Sequence, residues 1–387
     1  LIAGIQIHTM GQGTPVITDH LSQQMENTAA GDLIRINITL AERIEFPDLL
    51  ASVKTMNKSE RRRHVIEVLK AFTTESQKNV MAELSALSQS KSVEKITTYW
   101  VANVISCQAT PAAIEQLSVM ADISSIDYDE YRQVIDPMEN KYAYAVPGSA
   151  GSKEITWNIT KINADEVWDL GLTGEGIIVS VIDSGVNYDH YDLEDHMWES
   201  DDYPNHGWDF YSNDNDPMDG YGHGTHCAGT VAGDGTAGSQ TGVAPDALIM
   251  ACKVTNAAAS GTESMIWSAV EFSIEQGADV ISLSMGWQHS WGPNRTIWRE
   301  SFDAVLAAGM VASVAAGNEG SDQGSYPIPD NVRCPGDCPP PWLNPDQTLT
   351  GGVSSVICVG STTISDGVSN FSSRGPVTWE LINPFND

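Results

Sequence analysis

The chain has 387 residues, with 51 acidic against 20 basic side chains and a formal net charge of −31. That length accommodates two domains and a large core. So acidic a surface repels nucleic acid and anionic lipid, so neither is expected as a partner, and no apolar run reaches the length of a membrane span.

Taken in chain order, residues 1–31 show little periodicity and read as an N-terminal arm. Residues 33–40 alternate and predict a strand. Residues 60–90 are rich in helix formers and carry Val65, Val68, Leu69, Phe72, Val80, Leu84 and Leu87 at helical spacing. They predict one long helix. Residues 96–107 predict a second strand, Thr110-Pro111 opens a capped helix, and residues 123–128 predict a third strand. The order fits a small α+β domain with an antiparallel sheet over residues 32–135. Residues 136–152 hold Pro137, Pro147, Gly148 and Gly151, a turn-forming composition that marks a linker.

The pattern then changes, and the second domain is taken as 153–387. Residues 177–182, 247–253, 280–285, 311–315 and 356–359 are short, nearly continuous apolar runs. Helical stretches at 265–276 and 297–308 lie between them. Strands apolar on both faces, alternating with helices, predict an α/β domain whose parallel sheet is covered on both sides. Such sheets bind ligands at the carboxyl ends of their strands.

Three segments fall at those ends. Gly176-Ile-Ile-Val-Ser-Val-Ile-Asp-Ser-Gly185 places Asp183 at a strand terminus, where a carboxylate can orient an imidazole. Gly222-His-Gly-Thr-His-Cys-Ala-Gly-Thr230 places His223 at the start of a helix of small residues. Ala315-Ala-Gly-Asn-Glu-Gly320 places Asn318 after a strand, where its amide can donate to an oxyanion. An Asp-Ser-Gly or a turn Asn alone would read as capping. The three together read as acyl-transfer chemistry.

At these residues the chain resembles the subtilisin-like (subtilase) serine peptidases over about residues 159–376. Arg333-Cys-Pro-Gly-Asp-Cys-Pro-Pro-Pro-Trp342 and Phe371-Ser-Ser-Arg-Gly-Pro376 look like segments of the bacillopeptidase F-like branch. The resemblance implies a three-layer subtilisin-like fold, incomplete at its C-terminus, after a ferredoxin-like inhibitory propeptide. It implies Asp183 and His223 as catalytic residues and Asn318 as the oxyanion donor. The family's Gly-Thr-Ser-Met-Ala segment, which bears the nucleophile, does not occur before Asp387. The serine is therefore expected outside this chain, on a following or separate C-terminal fragment. Gly261-Thr-Glu-Ser-Met265 precedes Asn318, the wrong order, so Ser264 is rejected as nucleophile.

The resemblance further implies a groove for extended polypeptide substrates. Ala259, Ser260 and Gly261 would form one edge, and Ser284, Met285 and Gly286 the other. Ala315, Ala316, Gly317 and Glu319 would line a broad pocket that admits apolar side chains, narrowed by Trp287. The propeptide's own tail, about residues 131–144, would lie in this groove, with maturation inside 136–152. The expected whole is a secreted or cell-surface endopeptidase in proenzyme form. The alternative is a non-catalytic binding or scaffold protein on the same fold.

Residues 209–219 alternate hard oxygen donors, which favours calcium, with Asp214, Asp216 and Asp219 as candidate ligands. No organic cofactor is expected. Cys334 and Cys338 could close a small disulfide loop. Cys107, Cys227, Cys252 and Cys358 sit in apolar runs and read as buried thiols. Cys and His are too scattered along the chain to suggest zinc.

Overall fold

The computed structural model describes residues 5–9, 16–137, 154–338 and 354–377. It divides into two compact units. One combines Leu1–Tyr131 with Thr262–Glu275 and Asn294–Gly309, and the other combines Arg132–Gly261, Gln276–Pro293 and Met310–Asp387.

The first unit is built on a five-stranded sheet in the order Val16–Ile17, Ile123–Tyr128, Ile34–Leu40, Val104–Ala109, Val93–Tyr99. Every neighbouring pair is antiparallel except the first, which is parallel. Ile36, Ile38, Ile105 and Ile126 form its core with Leu84, Ile114 and Leu117 from the helices. Three elements differ from the sequence expectation. The N-terminal arm contains the strands Ile7–Thr9 and Val16–Ile17 and the helix Asp19–Glu26, whose Leu21 is fully buried. The single long helix is two, Lys58–Ser76 and Lys78–Gln89. Buried Gln77 stands at the break, and its amide donates to the carbonyl of Tyr99 and to Asn103 Oδ1. The strand expected at 96–107 is a hairpin, turning between Tyr99 and Val104.

The same unit takes in the helices Glu263–Glu275 and Arg295–Ala307. Their Trp267 and Trp298 rings lie 5.8 Å apart, and Tyr99 meets Trp267 edge-on at 5.9 Å. Glu271 Oε1 accepts the backbone N–H groups of Trp100 and Val101. Arg61 donates from Nε and Nη2 to the carbonyls of Ala307 and Leu306, satisfying the end of the second helix. These attachments join residues up to 246 positions apart, which is why no local pattern announces them.

The second unit is built on a six-stranded sheet in the order Gly207–Asp209, Leu248–Lys253, Ile178–Asp183, Val280–Leu283, Val311–Ala315, Val356–Val359. All pairs are parallel. Val181, Ile182, Ile249 and Ala251 are fully buried, as strands apolar on both faces require. From Ile178–Asp183 the chain runs to the edge strand Gly207–Asp209, returns to place Leu248–Lys253 between them, and then adds the other three strands in order on the opposite side. The switch in strand order therefore falls beside Asp183, where a crevice opens at the carboxyl ends.

Candidate active site

Asp183 is the last residue of its strand and is fully buried. His223 is the first residue of the helix His223–Ala232. Gly222 turns the chain into this helix at φ +101°, a region that favours glycine. Gly224 allows the close approach of helix to strand end: a Cβ there would sit 2.0 Å from the Gly185 carbonyl. His223 Nδ1 thereby lies 2.8 Å from Asp183 Oδ1 and 3.0 Å from Oδ2. Burial alone would lower the imidazole pKa. The Asp183 hydrogen bond and, after it, that of Cys227 outweigh this and hold His223 well above its usual range. Cys227 Sγ lies 3.7 Å from Nδ1.

Asp219 anchors the helix start. Its Oδ1 accepts from Tyr221 N, Gly222 N and Ser184 Oγ, and its Oδ2 from Thr225 N and Thr225 Oγ1. Both carboxylate oxygens of Asp219 are thus engaged at the start of this helix. Asp214 Oδ1 accepts from Asp216 N, and Asp216 Oδ1 accepts from Tyr188 Oη and Met218 N. Among the described residues, Asp214, Asp216 and Asp219 do not converge into a cluster of three metal-type donors.

Asn318 follows the strand Val311–Ala315 and the left-handed Gly317, φ +106°. Its Nδ2 donates to Asp136 Oδ2 at 2.6 Å. A cavity of about 250 Å³ brings together His223, Asn318, Ser284, Met285, Ala315 and Gly317 with Val134, Asp136 and Arg333. Asp183, His223 and Asn318, up to 135 positions apart, thus converge at one end of one sheet.

Both expected groove edges carry the chain's own residues 132–134. Arg132–Gln133 pairs antiparallel with Ser260–Gly261, and Val134 N donates to the Ala259 carbonyl at 3.1 Å. On the other side Gly286 N donates to the Val134 carbonyl at 3.4 Å. Residues 138–152, which include most of the expected linker, lie outside the described residues. Ala316 accepts from Arg333 N at 2.9 Å, and Glu319 accepts from Arg333 Nε at 2.7 Å.

Sequence reasoning missed Arg333 and Asp136 as site residues. Their only signals were a Pro-rich segment and the start of a linker, and neither carries a role on its face. Ser264 is buried and donates to Asp129 Oδ2 at 2.7 Å in the first unit. A second donor group lies in the loop after Arg333. Ligand atoms of Cys334, Asp337 and Cys338 fall within 4.8 Å of one another, with the two Sγ atoms 3.5 Å apart. His289 Nε2 lies 2.5 Å from Asp337 Oδ2. The sequence brought Cys334 and Cys338 together as a disulfide loop; here they are neighbouring thiols, and Asp337 and His289 beside them carried no signal. Cys107 and Cys252 are buried as expected, Cys227 is partly buried, and Cys358 sits on the exposed edge strand.

The sequence model of the subtilase family matches residues 174–384, and the chain belongs to this family. It is 34% identical over 231 residues to the minor extracellular protease Vpr of Bacillus subtilis, covering 57% of this chain and 27% of Vpr. It is 28% identical over 363 residues to bacillopeptidase F of the same organism, covering 87% of this chain and 23% of that protein. The chain thus spans about a quarter of the length of these two relatives. A solved cold adapted subtilisin-like serine proteinase is 29% identical with a TM-score of 0.38, over 53% of this chain and 62% of that one. Among the described residues no helix is long and apolar enough to cross a membrane.

Proposed function

We propose that the chain is part of a subtilisin-like serine endopeptidase, in a proenzyme form. The observation that carries this reading is the buried Asp183–His223 pair sharing one cavity with the Asn318 amide. His223 would take the proton of an attacking serine and return it to the leaving amine. Asp183 would hold the imidazole tautomer and stabilise its cation. Asn318 Nδ2 would donate to the oxyanion of the tetrahedral intermediate. The serine would come from a segment outside residues 1–387.

The N-terminal region is proposed as the inhibitory propeptide. Its strands Ile34–Leu40, Val93–Tyr99, Val104–Ala109 and Ile123–Tyr128 are interleaved with helices in the order of a ferredoxin-like domain. We read the larger sheet as the centre of a three-layer subtilisin-like fold. The antiparallel pairing of residues 132–133 with 260–261 supports a tail that sits as extended substrate would, with maturation within 136–152. The segments at residues 333–342 and 371–376 support placement beside bacillopeptidase F, and the extracellular character in Vpr's name supports secretion or cell-surface display. The calcium proposal narrows to Asp214 and Asp216, since Asp219 serves the helix start. The test is hydrolysis of unfolded protein by the whole protein. Inactivity of a folded, serine-bearing sample after its N-terminal region is removed by maturation would end this reading.

A further inference from the structure

We propose that Arg333 makes the pocket select an acidic side chain on the residue before the scissile bond; this rests on the peptidase reading above. Small walls at Ala315, Ala316 and Gly317 suggested an open apolar pocket. The structure instead runs an arginine through it. Arg333 is only 5% exposed. Its stem occupies room that two glycines leave: a Cβ on Gly317 would meet Arg333 Cγ at 2.8 Å, and one on Gly286 would meet Arg333 Cβ at 2.9 Å. Neither position can take a larger side chain while this arginine is in place.

The guanidinium faces two carboxylates. Nε donates to Glu319 Oε1 at 2.7 Å, and Nη2 also reaches that oxygen. Glu319 is held independently by Ser373 Oγ at 3.0 Å, Asn318 N at 2.8 Å and Gln288 Nε2 at 3.2 Å. Glu319 thus acts as a fixed support that orients the arginine. Nη2 also reaches outward to Asp136 Oδ1 at 2.8 Å and Oδ2 at 3.0 Å.

Asp136 is the residue of the groove segment that stands at the catalytic groups. It comes two positions after Val134, the residue held by Ala259 on one edge and Gly286 on the other. Its carboxylate accepts from Asn318 Nδ2, and its carbonyl accepts from Tyr221 Oη at 3.3 Å. The chain's own segment therefore offers a carboxylate that bridges the Arg333 guanidinium and the Asn318 amide. A guanidinium that stays charged at all working pH values favours a carboxylate there. It repels Lys or Arg, and an apolar side chain would leave a buried N–H without its partner.

The experiment measures kcat/KM of the whole protein on peptides that differ only at this residue: Asp, Glu, Asn, Leu and Lys. Alanine follows it, because Pro137 in the chain's own segment forms a tertiary amide. We expect Asp or Glu to exceed Asn and Leu by about 10-fold, the scale for an ion pair whose arginine is buried and whose carboxylate is 39% exposed, with Lys lowest. Arg333→Met should erase most of that margin, and Arg333→Lys should keep part of it. The wild-type profile decides even where a variant fails to fold. A preference for Leu or Lys, or a flat profile, overturns the selectivity while leaving the peptidase reading intact. Cleavage of no peptide by a folded, matured sample removes both.

Discussion

The two units share ion-paired carboxylates and differ in two glutamates that only the N-terminal unit places among neutral donors. In the larger unit Asp183 faces His223, Asp209 lies 2.9 Å from Lys253 Nζ and Glu319 faces Arg333, and the N-terminal unit has ion pairs of the same kind, with Asp129 2.6 Å from Arg35 and Glu300 2.9 Å from Arg43. In the N-terminal unit, Glu263 and Glu271 are held by neutral N–H donors, from Trp298 and Asn294 in one case and from Trp100 and Val101 in the other. Burial pushes both up to about 8. The lesson is that an ion pair and a set of neutral N–H donors are two ways to satisfy a carboxylate inside the protein. Glu263 and Glu271 are of the second kind, acceptors that are more comfortable with a proton on.

The largest expected effects are on activity. Asp183→Asn in the whole protein should lower kcat by about 10⁴-fold, because the imidazole loses its tautomer. Asn318→Ala should cost about 10²–10³-fold. Initial-rate kinetics on a peptide substrate checks both. Neither change should shift the unfolding of the N-terminal unit, followed by hydrogen exchange at Trp100 and Val101. A matching loss of protection there would blur the division.

Packing comes next. Trp298→Ala should destabilise the N-terminal unit by about 3–5 kcal/mol, since the ring is fully buried against Trp267 and Phe302. Denaturant unfolding measures it, with the larger unit's transition unchanged.

The pH dependence is a smaller effect. With folded values raised from 4.5 to about 8, Glu263 and Glu271 bind more protons folded than unfolded across that window. The N-terminal unit should therefore lose stability as pH rises from about 5 to 8. Glu271→Gln keeps an acceptor and removes the charge, so it should raise melting at pH 8 by roughly a few degrees and change little at pH 5. The sign for His223 is set by its raised pKa. Its pairing with Asp183 contributes fully below the ordinary imidazole value of 6.5 and is lost only as pH climbs through the higher folded value. The smallest expected effect is calcium at Asp214 and Asp216, a rise of roughly a few degrees in melting temperature that Asp219→Asn should not mimic. Isothermal titration with calcium checks the site directly.

Legibility in the sequence followed locality. The strands Val311–Ala315, Val356–Val359 and Ile123–Tyr128 fall where their apolar residues predict them. The segments around Asp183, His223 and Asn318 were readable because each is carried by neighbours that set its backbone: a strand end, a glycine-led helix start, a left-handed Gly317. The split of the long helix at Gln77 was not readable, because its cause is an amide satisfied by a hairpin more than 20 positions away. Arg333 was hidden for the same reason. Its partners are Glu319, 14 positions before it, and Asp136, 197 positions before it. The helix Glu263–Glu275 was predicted, but its grouping with the N-terminal sheet depends on Trp100 and Glu271, which no periodicity connects.

The most direct test of the central claim is labelling of the matured whole protein with a serine-directed fluorophosphonate, followed by peptide mapping. We predict one labelled serine outside residues 1–387, with Ser264 unmodified and labelling abolished by His223→Ala. No adduct on a folded, matured protein, an adduct on Ser264, or labelling that survives loss of His223 would contradict it.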